Sequence, residues 1–512
     1  MADSRDGSYG NRIGGQLVGS AETYASVNPA RPAEVLARFP DSAVDAVDDA
    51  VASAADAQRG WAAVPVPERA ERIAAVGTVL ARDKAALARL VAREAGKVLV
   101  EAGGDVQEAI DMAGYVASQG RGAWGTVHQS ELADKLCWTT RHPVGVVGMI
   151  TPWNFPVAIP SWKCFPALLA GNGIVLKPSE HAPLCAEAFV AACEEAGIPP
   201  GLVNVVHGHA APAAALARHP GVRAVSFTGS VPTGRKVAMA AMEEGPRLVS
   251  LELGGKNAMV VLPDADLELA ADGALFGAFG TAGQRCTSTS RLIVHCDVAA
   301  ELVAVVAERA AELVIGDPAV AGTDVGPVID AASAERIHRM VEAAAAEGAE
   351  VVTGGRQVGV DGCEGGSFYE PTILTGVGPD HRIARDEVFG PVLSVLEVGS
   401  LEEAVDVVNS AAYGLSAAVY TRDVNAAMRA VASIDTGIVY VNAPTIGAEI
   451  HLPFGGTKHT GNGYREAGTR GLEQFSETKT VYLDYSGRLQ RAQIDNRPPM
   501  DVDTAPRNGQ EV

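Results

Sequence analysis

Positive charge is what this 512-residue chain is short of: 41 Lys and Arg stand against 62 Asp and Glu, for a net charge of -21. A phosphate backbone calls for a basic face, so the balance excludes nucleic acid as a partner. It also excludes docking on an anionic membrane surface. Cysteine is sparse, with seven scattered residues and no close CxxC pair. That rules out a disulfide framework and fits a reducing compartment. The opening Met1-Ala2-Asp3-Ser4-Arg5-Asp6-Gly7 has no apolar h-region of the signal-peptide kind. Nowhere is there a run of about twenty apolar residues able to span a bilayer. There is no internal repeat. The expectation is a cytoplasmic, soluble protein, and at this length two or three domains or lobes.

What is present is a change of texture along the chain. Residues 1–15 are polar and glycine-rich and read as a loose N-terminus. From about 41 to 119 the pattern is helical. Short apolar strands then alternate with helical stretches such as Leu184 to Ala196. The strands are Val144–Ile150, Gly173–Lys177, Val203–Val206 and Ala224–Phe227. A second series runs through Ala258–Leu262, Arg291–Val294 and Ser394–Leu396, with a helix predicted from about Glu301 to Val314. Strands alternating with helices predict an α/β class with parallel sheets. Residues 487–512 hold Arg497-Pro498-Pro499 and many charges, and read as a disordered or wrapping tail.

One segment carries the chemistry most directly: Phe279-Gly280-Thr281-Ala282-Gly283-Gln284-Arg285-Cys286-Thr287. Its glycines allow backbone angles closed to other residues and close approach of another molecule. Arg285 would favour the thiolate of Cys286, the form that attacks carbon. The other six cysteines (Cys137, Cys164, Cys185, Cys193, Cys296 and Cys363) read as small buried hydrophobes.

Five further segments each allow two readings. In Thr151-Pro152-Trp153-Asn154-Phe155-Pro156, after a strand, Asn154 is either a fixed donor for an oxyanion or a turn-closing residue. In Leu176-Lys177-Pro178-Ser179-Glu180, Lys177 and Glu180 either meet cofactor hydroxyls or open a helix. A carboxylate there repels a 2′-phosphate and leans toward NAD, with NADP possible. Ser226-Phe227-Thr228-Gly229-Ser230 is a strand-to-helix turn that either binds pyrophosphate or simply turns the chain. In Leu251-Glu252-Leu253, Glu252 is a general base raised by apolar surroundings or an exposed strand acid. In Asp386-Glu387-Val388-Phe389, the acid and ring hold a ribose and a flat ring or belong to surface and core.

Taken in this order, these motifs resemble the aldehyde dehydrogenase superfamily over about residues 20 to 485. The resemblance implies that Cys286 attacks an aldehyde to give a thiohemiacetal, whose oxyanion Asn154 and the Cys286 backbone N–H hold. Hydride leaves to a nicotinamide, and Glu252 activates the water that releases the acid. It implies that Lys177 and Glu180 hold the adenosine ribose, Ser230 the pyrophosphate, with Phe227 and Gly229 in the same turn. Glu387 would hold the nicotinamide ribose near Phe389, and Trp153 would line the cleft. No metal is implied. The implied fold has an NAD-binding domain (16–124 and 144–252), a catalytic domain (253–473) and an oligomerisation extension (125–143 and 474–486) that pairs subunits into a homodimer or homotetramer.

The segments Asn442–Glu449, Pro453-Phe454-Gly455-Gly456 and Lys458–Gly463 resemble the branch that oxidises α-ketoglutaric and α-aminoadipic semialdehydes. That resemblance implies a small acidic semialdehyde, with Arg285, Glu108 and Phe454 at the substrate. Glu108 reads equally as part of a solvated helix face. Aromatic or aliphatic aldehydes, and a CoA-acylating reaction, are the alternatives.

Overall fold

The computed structural model describes residues 7–122, 124–243 and 245–495. Two seven-stranded sheets organise the chain. The first runs in the order Leu248–Glu252, Val222–Thr228, Val146–Thr151, Gly173–Pro178, Val203–Val205, Asn11–Ile13, Gln16–Val18. Its first five strands are parallel. The second runs Glu350–Thr353, Thr372–Thr375, Val392–Val398, Thr289–His295, Asn257–Val261, Ser416–Tyr420, Ile438–Val441. It is parallel apart from the edge strand Glu350–Thr353. Central strands such as Gly173–Pro178 are buried at every position, as expected where both faces of a parallel sheet are covered.

The helical stretch resolves into Val44–Ala63, Val66–Ala95 and Leu99–Ser118. The middle helix starts with proline in its first turn and stops at Gly96, whose φ of 73° is the left-handed C-cap. Its apolar stripe joins that of Leu99–Ser118 and the buried helix Ala158–Ala170 in one core against the first sheet. The predicted helix at Glu301–Val314 is longer upstream and spans Cys296–Glu312. A separate three-stranded antiparallel sheet pairs Ser476–Asp484, Lys135–Pro143 and Val127–His128.

Two expectations need correction. The N-terminus is not loose as far as residue 15: Arg12 pairs with Val205 at the sheet edge. The Arg12 guanidinium is buried against Glu187 at 2.8 Å, and Glu187 also accepts from His207 at 2.9 Å. An edge strand and a buried ion pair override a polar, glycine-rich composition. Cys296 is exposed, because it opens a surface helix beside His295 and Asp297. Of the predicted tail, residues 496–512 lie outside the described part, and 487–495 are largely exposed. Among the described residues no helix is long and apolar enough to cross a membrane.

Candidate active site

Parallel registry puts the loops of the first sheet on one edge. Ile150 is level with Lys177 and Phe227, and Thr228 with Glu252. The segments 152–156, 178–180 and 229–230 therefore leave the sheet together at its carboxyl end, where open α/β sheets bind ligands. Against this edge lies a cavity of about 780 Å³, lined among others by Trp153, Asn154, Gly229, Ser230, Cys286, Glu387 and Phe389.

Cys286 follows a turn of unusual backbone. Thr281, Ala282 and Gly283 have φ of 54°, 51° and 70° in succession. A side chain at Gly283 would collide with the Gly390 carbonyl at 2.1 Å, so only glycine fits there. Downstream, Asn257 Nδ2 donates to the carbonyls of Cys286 and Ser288 at 2.7 and 2.9 Å, which pins the far side of the turn. Burial, then the carboxylates of Glu387, Glu252 and Glu466, push the Cys286 thiol up to about 12. Arg285 does not lower it, against the sequence expectation. Its guanidinium turns to Glu101 at 3.1 Å, and its Nε donates to Thr281 Oγ1 at 2.9 Å.

Asn154 is buried, and its Nδ2 donates to the Gln284 carbonyl at 2.9 Å. Glu252 is also buried, with both carboxylate oxygens free of hydrogen bonds. Burial raises its pKa well above the ordinary range, Glu466 adds to the rise, and Lys163 and Arg465 oppose it. Lys163 Nζ donates to Glu466 and, at 2.8 Å, to Ser226 Oγ. Glu252 thus stands before a buried lysine–carboxylate pair that the sequence reading missed. The available signal was a lysine inside the helix Ala158–Ala170, which is buried at every position but Ile159.

In the cavity wall, Glu387 Oε1 accepts the Gly255 N–H at 3.1 Å, and burial raises its carboxyl to about 7. Phe389, at a φ of 49°, meets Trp153 edge-on with centroids 5.7 Å apart. Lys177 and Glu180 pair at 3.4 Å. Ser230 stands at the N-cap position of the helix Val231–Met242 without a side-chain cap bond, so the first N–H groups of that helix are left free at the cavity. Phe227 is a correction: it is core, and its ring packs against Gly229 and Gly234 so closely that a Cβ at Gly229 would lie 2.7 Å from it. It shapes the turn from below.

The three expected substrate residues lie on other elements. Phe454 packs edge-on against Trp162 at 5.2 Å and precedes Gly455, where a Cβ would come within 2.7 Å of Glu252. Glu108 is half-buried rather than solvated, and burial, with Asp105, raises it to about 7. Arg285 and Lys97 both lie over the Phe155 ring, at 5.5 and 3.5 Å from its centroid.

Residues 17–481 match the aldehyde dehydrogenase family. The chain belongs to the aldehyde dehydrogenase family. It is 41% identical over 481 residues to α-ketoglutarate semialdehyde dehydrogenase of Haloferax volcanii, covering 93% of this chain and 99% of that one. It is 37% identical over 455 residues to betaine aldehyde dehydrogenase of Brucella anthropi, covering 88% and 92%. The crystal structure of betaine aldehyde dehydrogenase from Staphylococcus aureus in complex with NAD+ superposes with a TM-score of 0.91 at 32% identity, covering 94% of this chain and 95% of that chain. In aldehyde dehydrogenase terms, the cleft just described joins a thiol, an amide donor and a buried carboxylate beside a dinucleotide-sized cavity.

Proposed function

We propose that this aldehyde dehydrogenase oxidises a small acidic semialdehyde, 2-oxoglutarate semialdehyde being the first candidate, to the acid. The observation that carries the substrate class is the 41% identity, over almost the whole of both chains, to an α-ketoglutarate semialdehyde dehydrogenase. NAD is the proposed cofactor, with NADP possible. The cavity beside Cys286 fits a dinucleotide: Ser230 opens a helix toward it, Glu387 offers a buried carboxylate, and Trp153 and Phe389 supply aromatic walls. When bound, the nicotinamide accepts the hydride.

The chain's own residues divide the rest. The Cys286 thiol gives up its proton to solvent as its sulfur adds to the aldehyde carbon, and the amide of Asn154 stabilises the oxyanion. Loss of hydride leaves a thioester on Cys286. Glu252 then takes a proton from water as the water attacks, and the acid leaves with the thiol restored. Free carboxylate oxygens on Glu252 leave it able to accept that proton, which favours hydrolysis over transfer to CoA.

A second reading has its own support. Around Phe155 the carboxyls of Glu101, Asp105 and Glu108 outnumber the cations Lys97 and Arg285, a balance that suits a cationic substrate such as betaine aldehyde. The test is a panel of carboxylated, neutral and quaternary-ammonium aldehydes, read as NADH formation. Highest kcat/KM on the carboxylated member supports the semialdehyde reading, and highest on the quaternary ammonium overturns it.

We also propose that the sheet 127–128, 135–143 and 476–484 pairs subunits, given its exposed Val127, Leu136, Tyr482 and Leu483.

A further inference from the structure

The turn ahead of Cys286 is held by a residue about 180 positions upstream. Glu101 lies in the first turn of the helix Leu99–Ser118, with only 10% of its side chain exposed. Both of its carboxylate oxygens accept the Thr281 N–H, at 2.9 and 2.8 Å, and one accepts the Thr281 hydroxyl at 3.1 Å. Its other oxygen takes Arg285 Nη2 at 3.1 Å, while Arg285 Nε returns to Thr281 Oγ1 at 2.9 Å. The ring closes Glu101, Thr281 and Arg285 on themselves. The guanidinium also lies over the rings of Phe155 and Phe276, at 5.5 and 5.6 Å.

The clamped residue needs holding. Thr281 and Ala282 are non-glycine residues in the left-handed region, where a side chain crowds its own backbone. Such a conformation persists only where the surroundings over-determine it. The carboxylate fixes Thr281 at one end of the run. At the other end Gln284 is fixed through its carbonyl by Asn154 and through its Oε1 by the Ile329 N–H at 2.9 Å. Cys286 is two residues further on.

We propose that Glu101 is the positioning residue of the nucleophile: with Arg285 it locks the left-handed 281–283 run and thereby aims the Cys286 sulfur. Arg285 then serves the turn, and the effect of breaking the lock is blind to the charge of the aldehyde. This rests on the reading of Cys286 as nucleophile, and a Cys286→Ala control separates the two. If that control keeps turning over aldehyde, the reading of Cys286 is overturned and the proposal with it. If the control is inactive, Glu101 is judged on its own variants.

The experiment measures Glu101→Ala, Glu101→Gln and Arg285→Ala in the full chain. Readouts are kcat and KM on carboxylated and neutral aldehydes, the rate of Cys286 alkylation by iodoacetamide, and melting temperature. The expected result for Glu101→Ala is a fall in kcat of about a hundredfold, the scale of a nucleophile misplaced by about 1 Å. KM for NAD should change less than about twofold, and the alkylation rate should shift by about tenfold. Glu101→Gln keeps an oxygen for the Thr281 N–H and should recover part of kcat. Arg285→Ala should lose kcat equally on both aldehyde classes. The proposal is overturned by kcat within twofold of the parent in both Glu101 variants. It is also overturned by a loss that follows melting temperature alone with alkylation unchanged, or by a loss in Arg285→Ala confined to carboxylated aldehydes. If Glu101→Ala does not fold, Glu101→Gln carries the same comparison.

Discussion

Asn154 donates its side-chain N–H to the carbonyl oxygen of Gln284 at 2.9 Å, so the amide proposed to stabilise the oxyanion also grips the turn that precedes Cys286. Asn154 and Gln284 are thereby set in one frame although they lie 130 residues apart. Replacing Asn154 by Ala should lower kcat by about 10²–10³, the usual effect of deleting one oxyanion donor. Steady-state kinetics with saturating NAD checks this, and an Asn154→Ala enzyme within fivefold of the parent would remove the amide from the mechanism.

Glu252 should act after hydride transfer. In Glu252→Gln, a stopped-flow burst of NADH is expected to survive while steady turnover falls by about 10²–10⁴. A base works only when deprotonated, and burial raises this carboxyl far above its ordinary value. The parent's turnover should therefore climb with pH on a limb lying above the ordinary carboxylate range, and the Gln variant should lose that limb. Acid should form without CoA; strict dependence on CoA would sink the hydrolytic route.

The Cys286 thiol, pushed up to about 12 by burial and three carboxylates, should be slow to alkylate in the cofactor-free protein. The iodoacetamide rate should rise about tenfold per pH unit between 7 and 10, following the thiolate fraction. A plateau below pH 8 would show an activated thiolate instead.

Glu387 gives a pH signature for the cofactor. With its carboxyl raised to about 7, it becomes a better acceptor for ribose hydroxyls as pH rises through neutrality. The Kd for NAD, measured by fluorescence quenching, should fall between pH 6 and 8 in the parent and stay flat in Glu387→Gln.

The N-terminal strand should be part of the stability of the first sheet. Arg12→Ala leaves Glu187 buried without its cation, which should cost about 3–5 kcal/mol in urea unfolding. Burial raises the Glu187 carboxyl, but His207 and Arg12 outweigh it and hold the pKa below the ordinary 4.5. A depressed carboxyl stabilises above its unfolded value and loses that contribution as pH falls through the folded one. The parent should thus lose this increment below about pH 4.5, and Arg12→Ala should show a smaller acid-side loss; equal losses would place the stability elsewhere.

The sequence by itself determined the α/β class, the site of seven strands of the two large sheets and the contiguous chemical segments. Gly283 to Cys286, Asn154 after its strand, and Glu252 between leucines were legible because turn chemistry and strand ends are local properties. Only tertiary structure decided what those residues touch. It put Phe227 beneath the turn instead of in the cleft, tied Arg12 into the sheet, and turned Arg285 toward Glu101. It also placed Lys163 and Glu466, 303 residues apart, together behind Glu252. Charge pairing and burial depend on which distant segments the sheets bring together, so a charged residue's partner, and with it the state of its proton, is not written in its neighbours along the chain.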